Sequence, residues 1–177
     1  MPVRDLAIFA VLSTIMYVSR FSLQWIPFIQ LLGPIIAAVT LAYRVRALIP
    51  IYVYIMLDGM FSGFSFWWLP YLYIWLPMWL MFMFAGKLRL PYKVKVPLYM
   101  VLCALHGMAF GIMYAPAQAL MFGLSFEALV AWVIMGLSFD VMHAIGNFAA
   151  GVLIIPLSEL LKKLSKIETD PNCVKIM

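Results

Sequence analysis

The chain has 177 residues, 67% hydrophobic and 11% charged, with a mean hydropathy of +1.05. A soluble domain carries about 25% charged residues and roughly half apolar ones, so this chain holds more apolar surface than one globular core can hide. Twelve Lys and Arg stand against seven Asp and Glu, a net charge of +5. The composition excludes an ordinary cytosolic enzyme, a disordered or collagenous chain and a disulfide-stapled secreted domain, and it indicates an integral membrane protein.

The basic residues sit between apolar spans, so they read as topology signals rather than as a nucleic-acid surface. Cys103 in an apolar span and Cys173 in the polar tail offer neither a disulfide nor a metal framework. The run from Leu6 to Val18 has the length of a signal-peptide core, but no small-x-small site follows before Arg20. A retained first helix is therefore expected.

A hydrocarbon core about 30 Å thick needs about 20 apolar residues per helix. The stretch from Asp5 to Tyr43, with Arg20 and Pro27 near its middle, predicts two helices and a turn. Ala47 to Gly86, interrupted by Gly59-Met-Phe-Ser-Gly63 and Trp67-Trp68, predicts two more. Val96 to Leu161 is too long for two spans and a tight turn, and Tyr114-Ala-Pro116, Met121-Phe-Gly-Leu-Ser125 and Gly136-Leu-Ser138 read as breaks. Ser138 is placed to cap a following helix.

The expected architecture is an all-α membrane protein, a single domain over residues 1–177 built as a six-transmembrane-helix bundle. Its helices cover about 5–20, 29–43, 47–62, 67–86, 97–115 and 138–164, with an outer connection at 116–137 and a cytoplasmic tail at 165–177. Six spans with both termini inside place Arg4; Arg44 and Arg46; Lys87, Arg89, Lys93 and Lys95; and Lys162, Lys163, Lys166 and Lys175 on the cytoplasmic side. Only Arg20 falls outside, as the positive-inside bias requires. Irregular backbone within the 116–137 connection must be buried by protein or line a cavity.

Ionisable groups within spans are costly and are functional candidates. Read by depth at 1.5 Å per residue, Asp58, Asp140, His143 and Asn147 fall in the outer half and His106 near the middle. Asp140, His143 and Asn147 stand at i, i+3 and i+7, one helix face suited to a polar ligand, a metal or hydrogen bonds between helices. Two His and two Asp on three helices lack tight metal-ligand spacing, so no metal and no cofactor is expected. Trp67 and Trp68 suit an interfacial belt, whereas Tyr71 and Trp75 share a deeper face. Deeper aromatics with a few convergent polar groups are candidate walls of a small-molecule pocket. Arg20 suits a snorkelling role, a substrate carboxylate or Asp58. Glu127 reads as a solvated loop residue, and the 14 methionines as adaptable packing.

The pattern resembles the S components of energy-coupling factor (ECF) transporters, the substrate-capturing membrane subunits of that branch of ATP-binding cassette importers. The Tyr114-Ala-Pro116 helix ending with a long outer connection is similar to the thiamine-binding members. The stretch Gly136-Leu-Ser-Phe-Asp140-Val-Met-His143-Ala-Ile-Gly-Asn147 is similar to the sixth-helix opening of vitamin S components generally. The resemblance implies a non-enzyme that binds a vitamin-like molecule in an outer-half pocket. Its partners would be a transmembrane coupling subunit and two cytoplasmic ATPases in the bacterial plasma membrane, and delivery would come by toppling within the bilayer. It implies Tyr71, Trp75, Tyr114 and Trp132 as walls, Asp58, His106, Asp140, His143 and Asn147 as polar contacts, and Arg20 as a carboxylate partner. The family's Ala-x-x-x-Ala docking face is not strictly kept, since Val11 follows Ala7; Ala10 and Thr14, with Ala7 one turn before, supply a small-residue face instead.

Two rivals are a structural scaffold of the cell-shape MreD type and a membrane enzyme using the Asp–His pairs. The chain has no Gly-x-Ser-x-Gly, no His-Glu-x-x-His and no Gly-x-x-x-x-Gly-Lys, so any ATP hydrolysis falls to partners.

Overall fold

A computed structural model describes residues 3–23 and 31–166, and every element in them is helical. In chain order these are α1 (Val3–Leu23), α2 (Leu32–Tyr43), α3 (Leu48–Ser62), α4 (Tyr71–Ala85), α5 (Tyr92–Met108), α6 (Phe110–Phe122), α7 (Phe126–Ala150) and α8 (Ile154–Lys166). Short 3₁₀ turns, Arg44–Ala47 and Gly151–Leu153, join α2 to α3 and α7 to α8. The turn expected at Pro27, the helix start near residue 29 and the tail beyond residue 166 lie outside the described residues.

Four helical runs are long and apolar enough to cross a membrane: Val3–Leu23, Leu32–Ser62, Tyr92–Phe122 and Phe126–Ser165; α4 is a shorter apolar helix. Exposure follows the same logic. Leu120 is 86% exposed, Met135 79% and Phe126 75%, which suits a lipid solvent and would be an aggregation hazard in water. α2 is the opposite case, buried at every residue from Leu32 to Leu41. A helix that is apolar all round belongs in the middle of its bundle. It packs on α4 and α8, while α1 lies along α3 and α5 along α7.

One end of the bundle is basic and tied together by hydrogen bonds. Arg4 donates to Leu164 O at 3.2 Å, Arg46 to Asp5 at 3.4 Å, and Ser165 to the Tyr43 hydroxyl at 3.1 Å. Arg44 turns the chain between α2 and α3 with φ +57°, a left-handed conformation that costs a non-glycine residue energy. Its surroundings hold it there: Trp79 Nε1 donates to its carbonyl at 3.1 Å and its guanidinium donates to Met83 O at 2.7 Å. Arg20 lies about 24 Å from Arg4 along α1, at the other end.

The segment from 116 to 137 differs from the expected irregular connection. α6 runs through Pro116 to Phe122, Gly123 ends it at φ +62°, and α7 begins at Phe126, capped by Ser125 Oγ accepting from Ala128 N at 3.3 Å. These are the ordinary glycine stop and serine start of helices. Gly136 and Ser138 lie inside an unbroken α7, so Ser138 caps nothing. These helices are apolar enough for lipid, where no water competes for backbone groups and Gly, Ser and Pro interrupt helices less readily than in soluble proteins. The other starts also shift: Trp67 and Trp68 sit in the turn before α4, and α5 opens at Tyr92 rather than at Pro97.

Gly59 is where that turn meets α3. A Cβ there would overlap the Phe64 ring and come within 2.8 Å of Trp68 Nε1, whose N–H donates to Ile55 O at 2.8 Å. Gly59→Ala is therefore expected to displace the turn and destabilise the bundle by about 1–3 kcal/mol. Thermal unfolding in detergent checks it; an unchanged midpoint would mean that the turn does not rest on α3.

Candidate functional site

At the end opposite the basic cluster, α1 and α3 join through an ion pair between Arg20 and Asp58. Asp58 is fully buried. Its Oδ1 accepts from Arg20 and, at 3.3 Å, from Ser62 Oγ, and its Oδ2 is buried with no partner. The Arg20 guanidinium also faces two rings, 5.5 Å from the Trp67 centroid and 5.8 Å from that of Tyr71, the geometry of a cation–π contact. One turn before Asp58 on the same face of α3, Tyr54 is fully buried and its hydroxyl has no partner. Tyr54 interacts electrostatically with Tyr71, Asp58 and Arg20, so these four groups share one neighbourhood.

Aromatic rings extend this neighbourhood inward. Tyr71 touches Trp67 at 5.7 Å and Trp75 at 6.1 Å between centroids. Trp75 stacks on His106 at 5.4 Å with the planes 22° apart, and its Nε1 is buried without an acceptor. His106 Nε2 lies 2.9 Å from Ile74 O; a carbonyl can only accept, so Nε2 carries the proton. Phe110 is the hub, within 6.3 Å of Tyr71 and Trp75, 6.1 Å of Tyr114 and 5.6 Å of His143. Tyr114 stacks on Trp132 at 6.0 Å and donates its hydroxyl proton to Trp67 O at 2.8 Å.

The α7 triplet divides. Asp140 is the only buried residue of α7, and both its oxygens accept from Gly111 N, at 3.0 and 3.1 Å. That N–H lies in the first turn of α6, where the helix restarts after the interruption at Ala109. The carboxylate thus satisfies a helix-start donor. Asn147 Nδ2 donates to Cys103 O at 3.3 Å. A Cβ on Gly107 would come within 3.0 Å of Ala144 N, so α5 and α7 meet at backbone distance, as small residues allow in membranes. His143 keeps Nδ1 buried and unpartnered.

The sequence-predicted residues are therefore brought together in part. Arg20, Asp58, Tyr71, Trp75, His106, Tyr114, Trp132 and His143 are linked by charge and ring contacts, whereas Asp140 and Asn147 turn to the backbone of α6 and α5. Tyr54 and Phe110 belong to the cluster and were not singled out by sequence. Their signal was helical spacing, Tyr54 four residues before Asp58 and Phe110 midway between His106 and Tyr114. Ala7, Ala10 and Thr14 are exposed on α1, away from the cluster, and Thr14 Oγ1 donates to Ala10 O at 2.9 Å. Among the described residues no three His, Cys, Asp or Glu side chains gather as a metal site.

Chemically, the cluster offers four unpaired buried polar atoms: an acceptor at Asp58 Oδ2, a donor at Trp75 Nε1, and Tyr54 Oη and His143 Nδ1, which can act either way. Buried polar atoms are nearly always paired, so four left over in one ring-linked cluster mark it as the candidate site. Compared with family models, curated proteins and solved structures, the chain matches none.

Proposed function

We propose that this chain is a substrate-capturing membrane subunit of the ECF S-component kind, and that its ligand enters the Arg20–Asp58–Trp75–His143 cluster. The observation that carries the reading is the set of four unpaired buried polar atoms within one aromatic cage. A flat heterocycle with its own donors and acceptors answers both features, stacking on the rings and pairing with the orphaned atoms. The cage is closed by ring contacts, so entry parts the Tyr114–Trp132 stack, where the α6–α7 hairpin meets the turn before α4.

In this reading the helices make six passes, with α5–α6 and α7–α8 each counting as one. The basic end faces the cytoplasm under the positive-inside bias, both termini lie there, and the cage opens toward the outside. Ala7, Ala10 and Thr14 form the face for a transmembrane coupling subunit, and two cytoplasmic ATPases supply the energy. The chain itself carries out no reaction.

The scaffold reading draws on Asp140, His106 and Asn147, whose polar atoms are spent on bonds between helices. The two readings part in one experiment, native mass spectrometry of the protein purified in mild detergent without added ligand. A copurifying small-molecule adduct, lost in His143→Ala, is the expected result. A bare protein that also shows no thermal shift across a panel of vitamins would overturn the binding reading and favour the scaffold.

A further inference from the structure

Away from the aromatic cage, a polar cleft of about 180 Å³ opens at the basic end between the close of α4, the start of α5 and α8. Its volume is several times the share of about 30 Å³ that one water molecule takes in the liquid, room for a small polar group. Lys95 and Lys162 line it, with Tyr92 and Tyr99 from α5 and Ser158 and Glu159 from α8. A third cation stands behind the wall. Gly86 lines the cleft, and a Cβ on it would come within 2.7 Å of Arg44 Nη1.

Two lysines thus face one carboxylate, with Arg44 behind the wall. Among the described residues, Glu159 pairs with neither Lys95 nor Lys162, so no ion pair among them neutralises the two lysines. Tyr99 lines the cleft with a hydroxyl that is spent on no hydrogen bond among the described residues and is free to donate there. Ser158, 3% exposed, spends its proton on Ile155 O at 2.9 Å and keeps its oxygen lone pairs.

We propose that this cleft binds a phosphate group, held by Lys95 and Lys162 with the Tyr99 hydroxyl donating and Arg44 behind Gly86. Two mobile ammonium groups suit a tetrahedral anion as point charges. Basic pockets between membrane helices at the headgroup level are where lipid phosphates dock. The same chemistry serves a phospholipid headgroup or a free phosphate. Glu159 sits exposed at the rim and opposes the anion, so it sets an upper limit on the affinity. The inference does not depend on what the aromatic cage binds.

The test uses the full chain, stripped of lipid in detergent, titrated with phosphatidylglycerol or with inorganic phosphate and followed by native mass spectrometry and thermal shift. The double variant Lys95→Gln/Lys162→Gln is expected to bind roughly fivefold more weakly for each lysine removed. Lys87→Gln, at a residue that does not line the cleft, is expected to leave binding unchanged. Gly86→Ala changes no charge, but its methyl group would press on Arg44 Nη1 and on Leu41 Cδ2 at 2.8 Å, and it is expected to weaken binding too. Lipid binding that inorganic phosphate does not displace identifies a headgroup site. Displacement, with a shift from phosphate alone, identifies a free phosphate. Wild-type affinity for both probes in the double variant and in Gly86→Ala would overturn the proposal.

Discussion

Replacing Arg20 with methionine is expected to lower the stability of the bundle by about 2–3 kcal/mol. Stranding one charge of a buried pair costs about 3–5 kcal/mol when both partners are fully enclosed. Here the Asp58 side chain is fully buried but that of Arg20 is 26% exposed, which brings the figure down. The loss comes from Asp58: without Arg20 its carboxylate keeps one bond, from Ser62, and must protonate or distort α3 to reach water. The cation–π contacts with Trp67 and Tyr71 go as well. Removing both charges together, in Arg20→Met/Asp58→Leu, is expected to restore most of the stability, because an apolar pair of similar volume is often neutral or better. Unfolding of the four species in detergent gives the coupling directly. A double variant as unstable as the sum of the singles would show that the two residues act separately.

The helical, membrane-compatible character of the chain was legible because it needs only hydropathy and length. What sequence patterns misplace are the breaks. Gly136-Leu-Ser138 and Tyr114-Ala-Pro116 would end helices in water, yet α7 runs past the first and α6 past the second. The Met121-Phe-Gly-Leu-Ser125 break does hold, because there the glycine takes a positive φ and the serine caps the next helix. A single breaker residue is ambiguous in lipid, whereas a stop signal followed at once by a start signal is not. The interruption at Ala109 had no such signal. It comes with a tertiary contact, the Asp140 carboxylate accepting the Gly111 N–H from another helix.

The same limit applies to the site. Depth arithmetic along each helix puts Asp58, Asp140, His143 and Asn147 in the outer half and His106 near the middle, since 1.5 Å per residue is a firm ruler. It does not say which way each group turns on its helix. Asp140 and His143 are three residues apart on one face, yet one is spent on a backbone N–H and the other is left with a bare nitrogen. Tyr54 was hidden for a related reason. A tyrosine in an apolar span reads as a ring, and only its burial without a partner marks the hydroxyl.

That hydroxyl gives the most informative substitution. Tyr54→Phe is expected to stabilise the unliganded protein by about 1–2 kcal/mol, since it removes a buried polar atom that the fold leaves unpaired. Tyr54 is fully buried, and the change keeps the ring and creates almost no cavity. If the hydroxyl exists for a ligand, the same variant binds that ligand roughly fivefold to tenfold more weakly, the worth of one neutral hydrogen bond in a dry site. The opposite signs separate function from architecture, because a purely structural hydroxyl would lower the unliganded midpoint when removed. Unfolding without ligand and titration with the copurified compound read the two halves independently. A less stable Tyr54→Phe with unchanged affinity would assign the hydroxyl to the fold and remove it from the binding cage.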